Sequence, residues 1–160
     1  MTLRIAFTPL DDPMANDEHI AILKRGVAAW NDWRDENPQI TPFLKGVNLI
    51  RADLDGADLN RAVLNSADLS GAGLVRAKLS GAELIRTSLR GAQLAEADLS
   101  YSWLPNASLR AAVLTGANLS GVSLHKTGLS GADLRGANLS GAEPQRGEPQ
   151  QRGPRRGEPQ

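Results

Sequence analysis

The sequence predicts an all-β solenoid, and three regular features of residues 42–141 predict it. Leucine stands at every fifth position from Leu44 to Leu139, twenty times without a gap. The residue two places before the leucine is alanine in fourteen repeats, and the residue two places after it is glycine in ten. A self-similar period of this kind is typical of architectures in which each unit packs on its neighbours.

A period of five residues fits neither an α-helix nor a continuous strand. In a helix, five residues turn the side-chain direction by about 500°, so the leucines would scatter around it. In a strand, an odd period sends successive leucines to opposite faces. The leucines share one interior only if alanine and leucine point inward and the next two residues form a corner, where glycine adopts positive φ. The predicted core includes Leu54, Leu59, Leu74, Leu99 and Leu119.

The repeat also carries a family resemblance. The segments 52–56 (ADLDG) and 137–141 (ANLSG) resemble the A(D/N)LXX consensus of the pentapeptide repeat family, and the resemblance covers residues 42–141. It implies a right-handed quadrilateral β-helix with four repeats per coil, hence about five coils. Some family members resemble duplex DNA in shape and charge and protect type II topoisomerases, which gives one candidate function.

The segment 16–38 is predicted to be one amphipathic α-helix that caps the first coil. Its apolar residues recur at the three- and four-residue steps of one helix face: Ile20, Leu23, Val27 and Trp30. Asn16 or Asp17 is placed to cap the start, and Pro38 ends the helix. The alternative, a helix lying on a membrane surface, would need more Lys and Arg on its polar face.

The two ends of the chain lack the repeat. Residues 1–15 are predicted to be a loose leader, and residues 143–160, rich in Pro, Gln, Arg and Gly, a disordered tail. Because no helix is predicted after residue 141, the far end of the solenoid is shielded by the tail, paired in a homodimer, or left open. With no signal peptide or membrane span in the sequence, the expected location is the cytoplasm, without a membrane partner.

Composition and charge disfavour several functions. The chain has no cysteine, and its 18 acidic and 18 basic residues balance. Residues 42–141 hold eight acids and ten bases, so DNA mimicry is disfavoured and nucleic acid is not an expected partner. The run Asp53, Asp55, Asp58 lacks the remainder of a calcium loop. With two histidines and no catalytic constellation, we expect no enzyme activity, no cofactor and no metal.

The candidate partner-binding surface follows from stacking residues that are twenty apart. The side of the predicted column that departs most from the repeat consensus carries five outward residues: Phe43, Val63, Glu83, Trp103 and Ser123. We expect an unidentified protein partner to contact Trp103 and Tyr101, with Arg86, His125 and Phe43 contributing. The alternative is that these residues depart from the consensus because an exposed surface tolerates substitutions, without any role in binding. The predicted function is therefore a non-enzymatic protein-interaction or scaffolding module.

A second, weaker candidate is an anion site on the adjacent side. Arg90 and Arg110 stack there, with Arg86 and Lys126 near the corner. Guanidinium groups bind phosphate or carboxylate. The alternative is that these cations pair with nearby acids such as Glu83.

Overall fold

The structure, a computed structural model, describes residues 15–143. It opens with two helices, α1 (Asp17–Lys24) and α2 (Val27–Glu36), which the repeats follow. The predicted leader and tail lie outside the described residues, apart from Ala15 and Glu143. Neither helix is long and apolar enough to cross a bilayer.

The repeats stack with an offset of twenty residues. Parallel bridges join each outward residue to the residue twenty places later, from Phe43–Val63 to Ser123–Glu143, so four repeats complete one turn. Within residues 15–143 the pairs are isolated bridges, because the chain changes direction in every repeat. The ladder runs two residues past the predicted end at 141, since Ala142 and Glu143 occupy the inward and outward positions of a further, incomplete repeat.

Leucine and alanine fill the interior of the stack. The five leucines named in the predicted core, from Leu54 to Leu119, are at most 2% exposed. Three alanine positions carry hydroxyl residues that are also buried, and each hydroxyl donates to a leucine carbonyl: Thr87 to Leu64, Ser102 to Leu99 and Thr127 to Leu104. Buried polar groups are tolerated there because they have hydrogen-bond partners.

Every corner of the repeats has a residue in the left-handed region. Glycine occupies ten of the twenty corners, as the repeat pattern predicts. The other ten corners have positive φ without glycine, at Arg51, Arg61, Ser66, Arg76, Arg86, Glu96, Tyr101, Asn106, Ala111 and Lys126. Each costs about 1–2 kcal/mol relative to an ordinary conformation. The stacking of the turns enforces this geometry whatever residue stands at the corner.

The prediction of one continuous N-terminal helix over 16–38 is wrong. Gly26 has φ +106, which separates α1 from α2, and no α-helical residue adopts that value. The predicted ends are correct: the Asn16 side chain accepts from the backbone N–H of Glu18 at 2.9 Å, and Asn37, before Pro38, ends α2.

Side chains of α2 satisfy the backbone edge of the first turn, residues 42–61. Trp30 is fully buried, and its Nε1 donates to the carbonyl of Asp58 at 2.8 Å. The Asn31 side chain accepts from the Asp58 N–H at 2.8 Å and donates to the Gly56 carbonyl at 3.0 Å. Arg34 donates to the Asn60 carbonyl at 3.2 Å. These groups would otherwise be an open edge, since no earlier turn of the described residues 15–143 lies beneath them.

Helix α1 covers another side of the same turn. His19 is buried, and its Nδ1 accepts the backbone N–H of Phe43 at 2.9 Å. The backbone N–H of Asn16 donates to the Phe43 carbonyl at 2.9 Å. The His19 ring also packs against Trp33, with 4.9 Å between ring centroids. Both backbone groups of Phe43 are therefore held by α1 and its N-cap.

The far end of the stack has no such cover within residues 15–143. Leu129 and Leu134 are half-buried, and Leu139 is 42% exposed. The backbone N–H groups of these three leucines donate to no partner in the described part of the chain, whereas earlier leucines donate to the next turn.

Candidate protein-interaction face

The predicted stack of outward residues is present as a bridge ladder. It connects Phe43, Val63, Glu83, Trp103 and Ser123, and continues to Glu143. The backbone N–H of Trp103 donates to the Ala82 carbonyl at 2.9 Å, and its backbone carbonyl accepts from the Leu84 N–H at 2.7 Å. Its backbone is thus fixed while its side chain is 52% exposed. A rigid ladder presents this indole at little conformational cost to a partner.

Tyr101 lies at the corner just before Trp103 and is held by a glycine. Its φ is +56, and its side chain is 74% exposed. A Cβ at Gly121, twenty residues later, would stand 2.6 Å from Tyr101 Cδ1 and 2.7 Å from Cε1. The tyrosine ring therefore lies directly over the Gly121 backbone. The twenty-residue offset between a corner tyrosine and a corner glycine is the sequence signal that reveals this contact.

The two aromatic residues border a shallow depression of about 490 Å³. Its lining includes two carboxylates, Glu83 and Glu143. Glu83 accepts from the Asn65 side chain at 2.9 Å, and Glu143 accepts from the Ser123 hydroxyl at 3.3 Å. Sequence reasoning missed Glu143 because it was assigned to the tail. Aromatic faces beside carboxylates attract a lysine or arginine side chain.

The other three candidate residues do not join this depression. Tyr101 lies at one corner of the side that carries Trp103, and Arg86 and His125 are exposed near the other corner of that side. Arg86 lies one turn before Trp103 and His125 one turn after it. Phe43 is half-buried in the first turn, three rows from Trp103, with its backbone held by α1. The structure thus groups Tyr101 with Trp103 and separates the remaining three.

The aspartates near the start of the repeats bond to backbone groups. Asp55 Oδ1 accepts the Val75 N–H at 2.8 Å, and Asp58 Oδ1 accepts the Asn60 N–H at 3.1 Å. In the chain from 15 to 143, no group of three or more His, Asp or Glu side chains is placed to hold a metal ion.

A family model for pentapeptide repeats matches in eight copies, over residues 44–81, 74–110 and 104–141. The chain belongs to the pentapeptide repeat family. The prediction from the repeat consensus is therefore confirmed. Pentapeptide repeat proteins form right-handed quadrilateral β-helices, in agreement with the twenty-residue bridges.

Solved structures with similarity to the chain are also pentapeptide repeat proteins. One from the Arabidopsis thaliana thylakoid lumen is 32% identical, with 62% of this chain and 66% of that chain covered and a TM-score of 0.49. HetL of the cyanobacterium Nostoc sp. strain PCC 7120, involved in heterocyst differentiation regulation, is 28% identical (64% and 62% covered, TM-score 0.29). QnrB1, a plasmid-mediated fluoroquinolone resistance protein, is 19% identical (64% and 60% covered, TM-score 0.43).

These likenesses carry no functional argument. The chain spans less than two thirds of the length of each of the three structures, and every TM-score is below 0.5. No curated protein matches the chain at a significant level.

Proposed function

We propose that this pentapeptide repeat protein is a non-enzymatic interaction or scaffolding module that binds a partner protein through Tyr101 and Trp103. The observation that carries the proposal is the placement of two large aromatic residues, Tyr101 (74% exposed) at a corner and Trp103 (52% exposed) at the ladder position that follows it. Exposed aromatic residues grouped on a surface are typical of protein-binding hot spots. A cytoplasmic location remains a prediction from the sequence.

The chemistry of the depression favours a partner that inserts a basic side chain. Glu83 and Glu143 supply negative charge beside the two rings. A lysine or arginine stacked on an exposed ring gains about 0.5–1 kcal/mol. A nearby carboxylate adds a charge-assisted hydrogen bond.

Quantitative affinity capture tests the proposal with a matched control. Trp103→Ala removes the proposed contact, and Ile50→Ala removes an apolar side chain of similar exposure, 47%, from another face. We expect a partner that is captured by the wild type and by Ile50→Ala but lost with Trp103→Ala. A photo-crosslinking residue at position 103, but not at exposed Gln93, should link to the same protein. An unchanged set of captured proteins with Trp103→Ala would show that this surface is not the contact.

We also propose that the twenty repeats form five coils and that the open end pairs with a second copy. The support is the 42% exposure of Leu139 and the unbonded backbone edge at the last leucines of the described chain. Apolar ends and unpaired edges favour association. In sedimentation velocity, we expect a wild-type dimer that Leu139→Glu makes monomeric and Ile50→Glu leaves intact. A wild-type monomer at every concentration would rule out this pairing.

The alternative function, DNA-mimicking modulation of a type II topoisomerase, stays disfavoured by charge. A DNA mimic needs a strongly negative column, whereas residues 42–141 hold eight acids and ten bases. A gyrase supercoiling assay separates the two functions. We expect no protection or inhibition at stoichiometric protein, and either effect would favour the alternative.

A further inference from the structure

The near-neutral charge of the repeats hides an uneven distribution over the faces. One face, called the basic face here, consists of residues 46–51, 66–71, 86–91, 106–111 and 126–131, stacked through the bridges from Asn48 to Gly128. It holds five basic residues and one acidic residue: Arg51, Arg86, Arg90, Arg110, Lys126 and Asp68. The rest of 42–141 holds five bases and seven acids. The net charge of residues 42–141 therefore does not indicate which ligands the basic face attracts.

Four of these cations lie together in the last three rows of the basic face. Arg86, Arg90, Arg110 and Lys126 are all exposed, and none of them pairs with a carboxylate within residues 15–143. Successive rows are about 4.8 Å apart, which places Arg90 and Arg110 side by side. Arg86 and Arg90, four residues apart, are separated by at most about 14 Å. The cluster is thus compact, and no carboxylate of residues 15–143 forms an ion pair with it.

The centre of the basic face is flat and polar. Its outward residues in these rows are Ser88, Ser108 and Gly128. A Cβ at Gly128 would lie 3.5 Å from Arg110 Cγ and 3.9 Å from its Cδ, so the aliphatic part of Arg110 lies against the glycine. The Ser108 hydroxyl is buried and has no hydrogen-bond partner among the described residues. The face therefore offers guanidinium donors on a surface with no bulky side chain in the way.

We propose that the basic face binds an extended acidic segment of a protein partner. Arginine pairs with carboxylates through two parallel hydrogen bonds. Alternate side chains of an extended peptide lie about 6.6–7 Å apart on one side, a spacing that fits within the cluster. Single-stranded nucleic acid is disfavoured, because the aromatic residues of the described chain lie elsewhere and give bases nothing to stack on. A duplex DNA binder that contacts about 6–10 phosphates needs more cations than these four provide.

Fluorescence anisotropy of labelled twelve-residue peptides with the full chain tests this proposal. We expect the chain to bind a Glu-Ser repeat peptide, with an affinity that falls as salt rises, and to bind a Gln-Ser peptide far more weakly. Arg90→Gln/Arg110→Gln should weaken binding of the acidic peptide about tenfold, since two exposed ion pairs are lost. The matched control is Arg61→Gln/Lys78→Gln, which removes the same charge from exposed residues off the basic face and should change the affinity less than twofold.

Three results would overturn the proposal. The first is equal binding of the acidic and neutral peptides. The second is equal weakening by the two double variants, which would indicate a response to net charge alone. The third is tighter binding of a duplex DNA of matched length than of the acidic peptide. Because the basic face excludes Tyr101 and Trp103, a Trp103→Ala control that still binds the peptide separates this proposal from the function proposed above.

Discussion

Replacing Gly121 with alanine tests whether the Tyr101 ring is held by the glycine beneath it. The substitution places a Cβ 2.6 Å from the ring, a distance that forces the ring to move. Gly91 is a matched control. Gly91 and Gly121 both have φ +64, but a Cβ at Gly91 meets nothing within 4 Å. The two substitutions thus share the backbone strain and differ in the aromatic contact.

The expected magnitudes follow from the two contributions. Alanine in the left-handed region costs about 1–2 kcal/mol, of which about 0.4–1 kcal/mol is offset by reduced entropy of the unfolded chain. Gly91→Ala should therefore destabilise by about 1 kcal/mol. The residue Tyr101 is 74% exposed, so about a quarter of its area is covered. That is about 50 Å², and losing it adds about 1 kcal/mol, which gives about 2 kcal/mol for Gly121→Ala.

Urea unfolding followed by far-UV circular dichroism measures the difference. For a small domain, 1 kcal/mol shifts the midpoint by roughly 0.3–1 M. In a Tyr101→Ala background, Gly121→Ala and Gly91→Ala should become equally destabilising, because no ring is left to displace. Equal effects of the two in the wild-type background, or a difference that survives in Tyr101→Ala, would refute the proposed contact.

Three further predictions concern the core and the helices. Leu99→Ala should destabilise by about 2–5 kcal/mol and Leu139→Ala by about 1 kcal/mol or less, because the first leucine is fully buried and the second is 42% exposed; the urea midpoints compare them. Trp30→Phe should destabilise by about 1–3 kcal/mol, because it leaves the Asp58 carbonyl without its indole donor, as thermal unfolding would measure. Burial lowers the pKa of His19 below 6.5, so the unfolded chain takes up the proton first. The contribution of neutral His19 to the free energy of unfolding should be fully present above pH 6.5 and decline as pH falls toward the folded-state pKa. Unfolding measured at several pH values should show a smaller decline for His19→Asn than for the wild type.

The sequence was most informative about the repeats, for a physical reason. One leucine in five can be buried only if the chain turns in every repeat, so burial of Leu54 or Leu99 follows from spacing alone. The left-handed corners at positions such as Tyr101 and Ala111 follow less directly, because neither residue prefers that conformation. There, hydrogen bonds between turns override local preference.

Features that depend on one residue or on position in the stack were harder to predict. Gly26 interrupts a hydrophobic pattern that is otherwise continuous, and a lone glycine inside such a pattern is often tolerated. Glu143 joins the ladder although no leucine follows it, because the pairing needs only an extended backbone. The role of Asn31 as donor and acceptor to the first turn has no local signal at all, since it arises when α2 docks on that turn.

The fixed stacking of the turns gives each face of the column its own constant set of neighbouring side chains. With turns locked at a twenty-residue offset, a side chain keeps the neighbours that stand twenty places before and after it. Glu83 therefore stays beside Trp103, and Arg90 stays beside Arg110, although each pair is distant in sequence. The carboxylates beside Trp103 and the arginines at 90 and 110 therefore keep separate, fixed places on one narrow column. Under the two proposals above, this separation would give the chain two contacts of opposite charge preference and hold two partners at a fixed orientation.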